Sequence, residues 1–122
     1  MKTEKIMLVI NEQHELLPSQ REQLGYNFPE SEVEKVLVPA EGWTIEEMER
    51  ILSERLWGNF VVFVSPIPYL IKKLSFCEGL GVGGQKGYTT KTFLFHNDRR
   101  EKKELPNGKV ISVLAKEGWQ IV

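Results

Sequence analysis

Apolar residues recur along this chain with two different periods, and the switches between them predict most of its elements. Lys5-Ile-Met-Leu-Val-Ile10 is almost wholly apolar, as expected of a strand covered on both faces. Pro18 predicts the start of a short helix, with Gly25 as the left-handed cap that ends it. A second strand is expected over 34–38, stopped by Pro39. Thr44-Ile-Glu-Glu47 spells a capping box, in which the threonine and Glu47 each satisfy an amide of the first helical turn. The helix behind it is amphipathic: Ile45, Met48, Ile51, Leu52 and Leu56 fall at helical spacing, and Gly58 closes it. Phe60-Val-Val-Phe-Val64 is the most strongly apolar strand. Ser65 is expected to cap a third helix, with Ile67, Leu70, Ile71, Leu74 and Cys77 on its inner face.

A glycine-rich loop from Gly79 to Gly87 leads to a fourth strand, Thr92 to Phe95, which ends in His96-Asn97-Asp98. The remainder predicts a hairpin over about 98–114. Its first arm, Arg99 to Glu104, has no apolar residue; the turn is Pro106-Asn107-Gly108; the second arm is Val110 to Leu114. Two turns fit this spelling: a primed turn with Asn107 and Gly108 both at positive φ, or a type I turn with Gly108 alone there. Three strand-helix units and a further strand predict an α/β fold, a Rossmann-like three-layer sandwich with a mainly parallel sheet and a C-terminal β-hairpin. One domain spanning 1–122 is expected. Glu41-Gly-Trp43 and Glu117-Gly-Trp119 echo each other, over too few residues to make a repeat.

Charge refines this picture. The chain carries a formal net charge of −1, which argues against a protein that coats bulk duplex DNA. From Lys86 to Lys109, however, seven Lys/Arg face three Asp/Glu, a local +4 that leaves −5 for the rest. An acidic body with one basic arm suits a small anionic partner, although solvated charge on an exposed hairpin produces the same pattern. Cys77 is alone, so no disulfide framework or zinc cluster is expected, and a reducing cytoplasmic location fits. No apolar run approaches the ~20 residues that span a bilayer, and the first residues lack a signal-peptide plan.

In open parallel sheets, ligands bind beyond the carboxyl ends of the strands, where the strand order reverses. For an order of 2-1-3-4 the first and third loops flank that crevice, which makes Asn11, His14, Ser65 and Tyr69 the default pocket residues. Ser65 at a helix start suits an anion, but Pro66 and Pro68 have no N–H, so only Ile67 and Tyr69 can donate from the first turn. An ordinary helix cap explains Ser65 equally well. Gly79-Leu-Gly-Val-Gly-Gly84 has the spelling of a dinucleotide fingerprint in the wrong setting, since a helix precedes it and a strand follows. Lys86 completes no phosphate-binding Walker pattern. His14 and His96 stand at two strand ends, where histidine can exchange a proton near neutral pH. Neither belongs to a metal-spaced cluster, so any chemistry is expected to run without metal or cofactor.

The chain resembles the small stand-alone CRISPR-associated proteins built on the CARF (CRISPR-associated Rossmann fold) domain, especially the compact ring-nuclease-like members. The residues that carry the likeness are the first strand into His14-Glu-Leu-Leu-Pro-Ser-Gln20, the Phe60 to Val64 strand, and Asp98-Arg-Arg100 followed by a charged hairpin with Asn107-Gly-Lys-Val-Ile111. The resemblance implies a homodimer that binds cyclic oligoadenylate, or another small anionic nucleotide. Some members cleave that ring without metal, by attack of a ribose 2′-hydroxyl on the adjacent phosphate. Carried onto this chain, Asn11 and His14 match the first-loop position, Ser65 the third-strand turn, and Arg99 and Arg100 the arginine after the fourth strand. His14, Ser65 and Arg99 are then the expected catalytic residues. Asn11, Gln13, Tyr69, Lys86, His96 and Arg100 are the expected ligand contacts. The chain departs from the family at Ser65-Pro-Ile-Pro68, where a glycine-containing polar turn is usual, and at His96-Asn97, where a Thr-Thr pair is usual. The alternative reading is a non-catalytic interaction or RNA-binding module that uses the charged hairpin.

Overall fold

The computed structural model describes residues 5–77 and 90–122. The glycine-rich loop with Lys86, and the side chain of Cys77, lie outside the described residues. In chain order the elements are β1 (Ile6–Asn11), α1 (Pro18–Asn27), β2 (Val33–Val38), α2 (Ile45–Ile51) and β3 (Phe60–Phe63). They continue with α3 (Pro68–Cys77), β4 (Lys91–His96), β5 (Arg100–Glu104), β6 (Val110–Leu114) and β7 (Gln120–Ile121). The chain is α/β and Rossmann-like, with a mainly parallel sheet, flanking helices and an antiparallel hairpin near the C-terminus. Its residues group into two compact units, one formed by residues up to Glu15 with 30–94, the other by Leu16–Pro29 with Phe95–Val122. Among the described residues no helix is long and apolar enough to cross a membrane.

In the first unit β1 runs parallel to β2 on one side and to β3 on the other, and β3 runs parallel to β4. The order is therefore β2-β1-β3-β4, the 2-1-3-4 expected, with its reversal between β1 and β3. Alternate residues point to one face: Met7 and Val9 of β1, Val36 and Val38 of β2, Val61 and Phe63 of β3. They meet Met48 of α2, Leu52 and Leu56 just beyond it, and Leu70 and Leu74 of α3. Each such fully buried side chain contributes about 1.5–3 kcal/mol relative to leaving it in water. Ile6, Leu8, Ile10 and Val62, on the alternate positions, are buried as well, and this is why these strands read as continuous apolar runs.

Thr44 caps α2, its hydroxyl oxygen accepting from the Glu47 amide at 3.1 Å. The expected box is half formed, because Glu47 Oε1 accepts from that hydroxyl and not from the Thr44 amide. Ile45 is exposed, so the inner face of the helix begins at Met48. Beyond Ile51 the helix widens into a π-type turn over Leu52–Leu56, in which the Trp57 amide bonds the Leu52 carbonyl. Gly58 then turns at φ +83°, and its amide donates to the buried Thr90 hydroxyl at 2.8 Å.

Two helix boundaries differ from expectation. α3 starts at Pro68 and not at Ser65, because Ser65 and Ile67 each precede a proline, which disfavours helical backbone at both. α1, in the second unit, runs past Gly25 to Asn27 and ends where the Phe28 amide bonds the Leu24 carbonyl. A glycine without a Cβ carries no obligation to stop a helix whose inner face still buries Leu24.

The second unit also holds β7, which sequence reasoning missed; it pairs antiparallel with the end of β4 through Phe95↔Ile121 and His96↔Gln120. Trp119 lies edge-on to Phe95, with ring centroids 6.3 Å apart. The β5-β6 hairpin forms as expected, and its turn resolves to the type I form. Gly108 alone has positive φ, +85°, its amide bonds the Leu105 carbonyl, and the Leu105 amide bonds the Lys109 carbonyl. This is a three-residue loop with a glycine bulge.

Candidate functional site at the strand-order reversal

The end of β1 is shaped by its own asparagine. Asn11 Oδ1 accepts from the Gln13 amide at 2.9 Å, and the Asn11 carbonyl accepts from the His14 amide at 2.9 Å. This side-chain-stabilised turn fixes His14 just beyond the strand. From the adjacent strand, Val64 and Ser65 both donate their amides to the Val9 carbonyl, which holds the chain extended past β3. Ser65 Oγ then accepts from the Asn11 amide at 2.9 Å and lies 3.5 Å from His14 Nδ1. With one lone pair engaged by Asn11, the hydroxyl keeps a second lone pair for an Nδ1–H of His14 and its own proton for a ligand. The 3.5 Å separation is long for a hydrogen bond, as is common for serine-histidine pairs without bound substrate.

Asn11, Ser65 and His14 therefore come together at the β1/β3 reversal, the place where ligands gather on parallel sheets. Asn11 and Ser65 are half-buried and His14 is exposed, so a ligand could reach all three. Glu12 belongs to the same corner: its Oε1 accepts from the Ala40 amide at 2.9 Å, tying the first loop to the second. Sequence reasoning passed over Glu12, since an exposed glutamate in a loop carries no distinguishing signal. Ser65 is not a helix cap; its oxygen serves the neighbouring strand end.

Tyr69 turns towards α2, donating its hydroxyl to Glu49 Oε1, while Lys73 Nζ lies 3.4 Å from the same oxygen. The tyrosine hydrogen bond and the lysine charge hold the Glu49 carboxyl below the usual carboxylate range, and Glu49 in turn pushes the Tyr69 phenol and the Lys73 ammonium up. Tyr69 and Lys73 also line a cavity of about 660 Å³ with Trp57, Lys72 and Phe76.

The arginines, with His96, belong to the second unit. His96 is exposed at the end of β4. Asn97 beside it is buried and acts as a clamp: Nδ2 donates to the Ala115 and Glu117 carbonyls, each at 2.9 Å, and Oδ1 accepts from the Arg99 amide at 3.0 Å. Sequence reading placed Asn97 at a strand end but gave it no role; an asparagine in that position was the available signal. Arg99 lines a cavity of about 540 Å³ with Leu17, Ser19, Glu22, Lys116 and Gly118, among others. Gly118 permits that placement, because a Cβ there would lie 2.6 Å from Arg99 Cδ. Arg100 directs Nη1 to the carbonyls of Asn97 and Arg99. Lys86 lies outside the described residues. Among the described residues, no group of three or more His, Cys, Asp or Glu side chains is placed to hold a metal ion.

No protein-family model, curated protein or solved structure matches the chain.

Proposed function

We propose that this chain binds a small anionic nucleotide at the β1/β3 reversal, and that the nucleotide is a cyclic oligoadenylate which the protein opens in the manner of a CARF-type ring nuclease. The observation that carries the reading is the Asn11-Ser65-His14 arrangement at the switch point of a parallel sheet. The likeness of Asp98-Arg-Arg100 and the hairpin to that family supports the same ligand.

In the reaction proposed, the ribose 2′-oxygen forms a bond to the adjacent phosphorus as its proton passes to His14. The bond from phosphorus to the next 5′-oxygen breaks, and that oxygen takes up a proton. The products are a 2′,3′-cyclic phosphate end and a 5′-hydroxyl end. Ser65 Oγ accepts from His14 Nδ1–H, which leaves Nε2 to take the ribose proton, and directs its own proton to a phosphate oxygen, while Asn11 holds Ser65 in place. In-line positioning and donors on the phosphate do most of this work. Incubation with cyclic tetra- and hexa-adenylate, without added metal, is expected to yield linear product. His14→Ala is expected to slow it by about 10²–10⁴-fold, the range for a general base. Binding without product would leave a sensor that sequesters the ring; no binding at micromolar protein would sink the reading.

A further inference from the structure

β5 is a charged strand with an exposed edge, and its sequence is complementary to itself. The two-stranded sheet contains β5 and β6 only, and all five residues of β5 are exposed. The ladder fixes which backbone groups face outward. The Leu105 amide bonds the Lys109 carbonyl and the Ala115 amide bonds the Arg99 carbonyl, so the odd-numbered residues of this strand face β6. Arg100, Lys102 and Glu104 consequently point their N–H and C=O groups away from β6, and among the described residues no strand pairs with them.

Placing a second β5 antiparallel along this edge, with Lys102 opposite the partner's Lys102, sets Arg100 against Glu104 and Glu101 against Lys103 on both sides of the axis. Four of the five opposed pairs are then of opposite charge. The same register brings the outward-facing residues 100, 102 and 104 opposite one another, as an antiparallel hydrogen-bonded ladder requires. It also gives the longest overlap of the strand with itself. Charge, backbone parity and length thus select one register. The like pair at the axis, Lys102 against Lys102, has the partner's Glu104 and Arg100 as its two diagonal neighbours, so it costs one repulsive contact against four attractive ones.

We propose that two copies of this chain associate through β5, forming a four-stranded antiparallel sheet in the order β6-β5-β5-β6 about a twofold axis. The inference goes beyond the nucleotide reading and stands without it, because it uses no residue of the β1/β3 corner. A short edge buries little area, so association is weak and belongs at the upper end of micromolar concentration.

Sedimentation equilibrium on the full chain, without ligand, tests it. The wild-type chain is expected to form dimers in a concentration-dependent way. Glu101→Lys, which puts lysine against Lys103, is expected to raise the dissociation constant about tenfold, since two pairs change from attraction to repulsion. The exchange Glu101→Lys with Lys103→Glu restores opposite charge and is expected to return the constant to near wild type. Lys102→Pro removes an outward N–H without touching the bonds to β6, and is expected to abolish the dimer while the circular dichroism stays unchanged. A chain that remains monomeric at millimolar concentration overturns the proposal. So does a dimer indifferent to the charge exchange, including one that forms through another surface.

Discussion

At the scale of single residues, Asn97 shows how a polar side chain beside a strand end can serve the fold itself. It is buried, and its side-chain amide satisfies two carbonyls 18 and 20 positions away in the chain and the amide of Arg99, two residues on. Truncation strands all three groups, so Asn97→Ala is expected to cost about 1–3 kcal/mol, read as a lowered urea midpoint at unchanged slope. A change within about 0.5 kcal/mol, the range of ordinary surface substitutions, would contradict the clamp. The neighbouring Arg99 depends on a different device. Gly118 at φ +89° leaves room for the arginine's Cδ, a fit that no local reading of Glu117-Gly-Trp119 could have revealed. Asn11, His14 and Ser65 were legible because strand ends in a 2-1-3-4 sheet have predictable neighbours. Glu12 and Asn97 were not, because their importance lies in backbone groups distant in sequence.

At the scale of elements, the legible parts were those whose signal was local. The apolar runs of β1 and β3 and the Thr44 cap each state their structure within a few residues. The Pro106-Asn107-Gly108 turn did too, although its two possible forms required the structure to separate them. The start of α3 was misplaced because a serine at the expected cap position outweighed the two prolines behind it. Those prolines hold residues 65–67 outside the helix, and this frees Ser65 Oγ to serve Asn11. The proline-delayed helix is therefore part of how the candidate site is built. β7 was missed because two residues after Trp119 are too few to show a period, and pairing with β4 alone defines them.

At the scale of the whole molecule, charge and acid stability are linked. Glu34 of β2 receives Arg55 at 2.9 Å and Lys5 at 3.0 Å, and these cations hold its carboxyl below the usual carboxylate range, Arg55 contributing most. A carboxyl lowered in the folded state contributes stability that is present above its unfolded pKa. That stability is lost as pH falls through the lowered folded value. Thermal melts are accordingly expected to show a wild-type acid limb that flattens in Glu34→Gln, most clearly at low ionic strength, since the group is partly exposed and screened by salt. An unaltered limb would mean the cluster is decorative. Net charge was readable from composition alone; which carboxylates are paired was not, because Lys5, Glu34 and Arg55 come from three separate segments.

The hairpin turn also sets how this protein ages. Asn-Gly is the dipeptide most prone to deamidation, in which the following backbone nitrogen attacks the asparagine side-chain carbonyl and ammonia leaves, giving a cyclic imide that water opens to aspartate or isoaspartate. Here both reacting groups are occupied: the Gly108 nitrogen donates to the Leu105 carbonyl, and Asn107 Oδ1 accepts from the Lys109 amide. The folded turn thus protects the bond that its sequence exposes. Peptide mapping by mass spectrometry after prolonged warm storage is expected to find Asn107 converted more slowly in the folded protein than in the urea-unfolded chain. Equal rates would show that the turn opens freely.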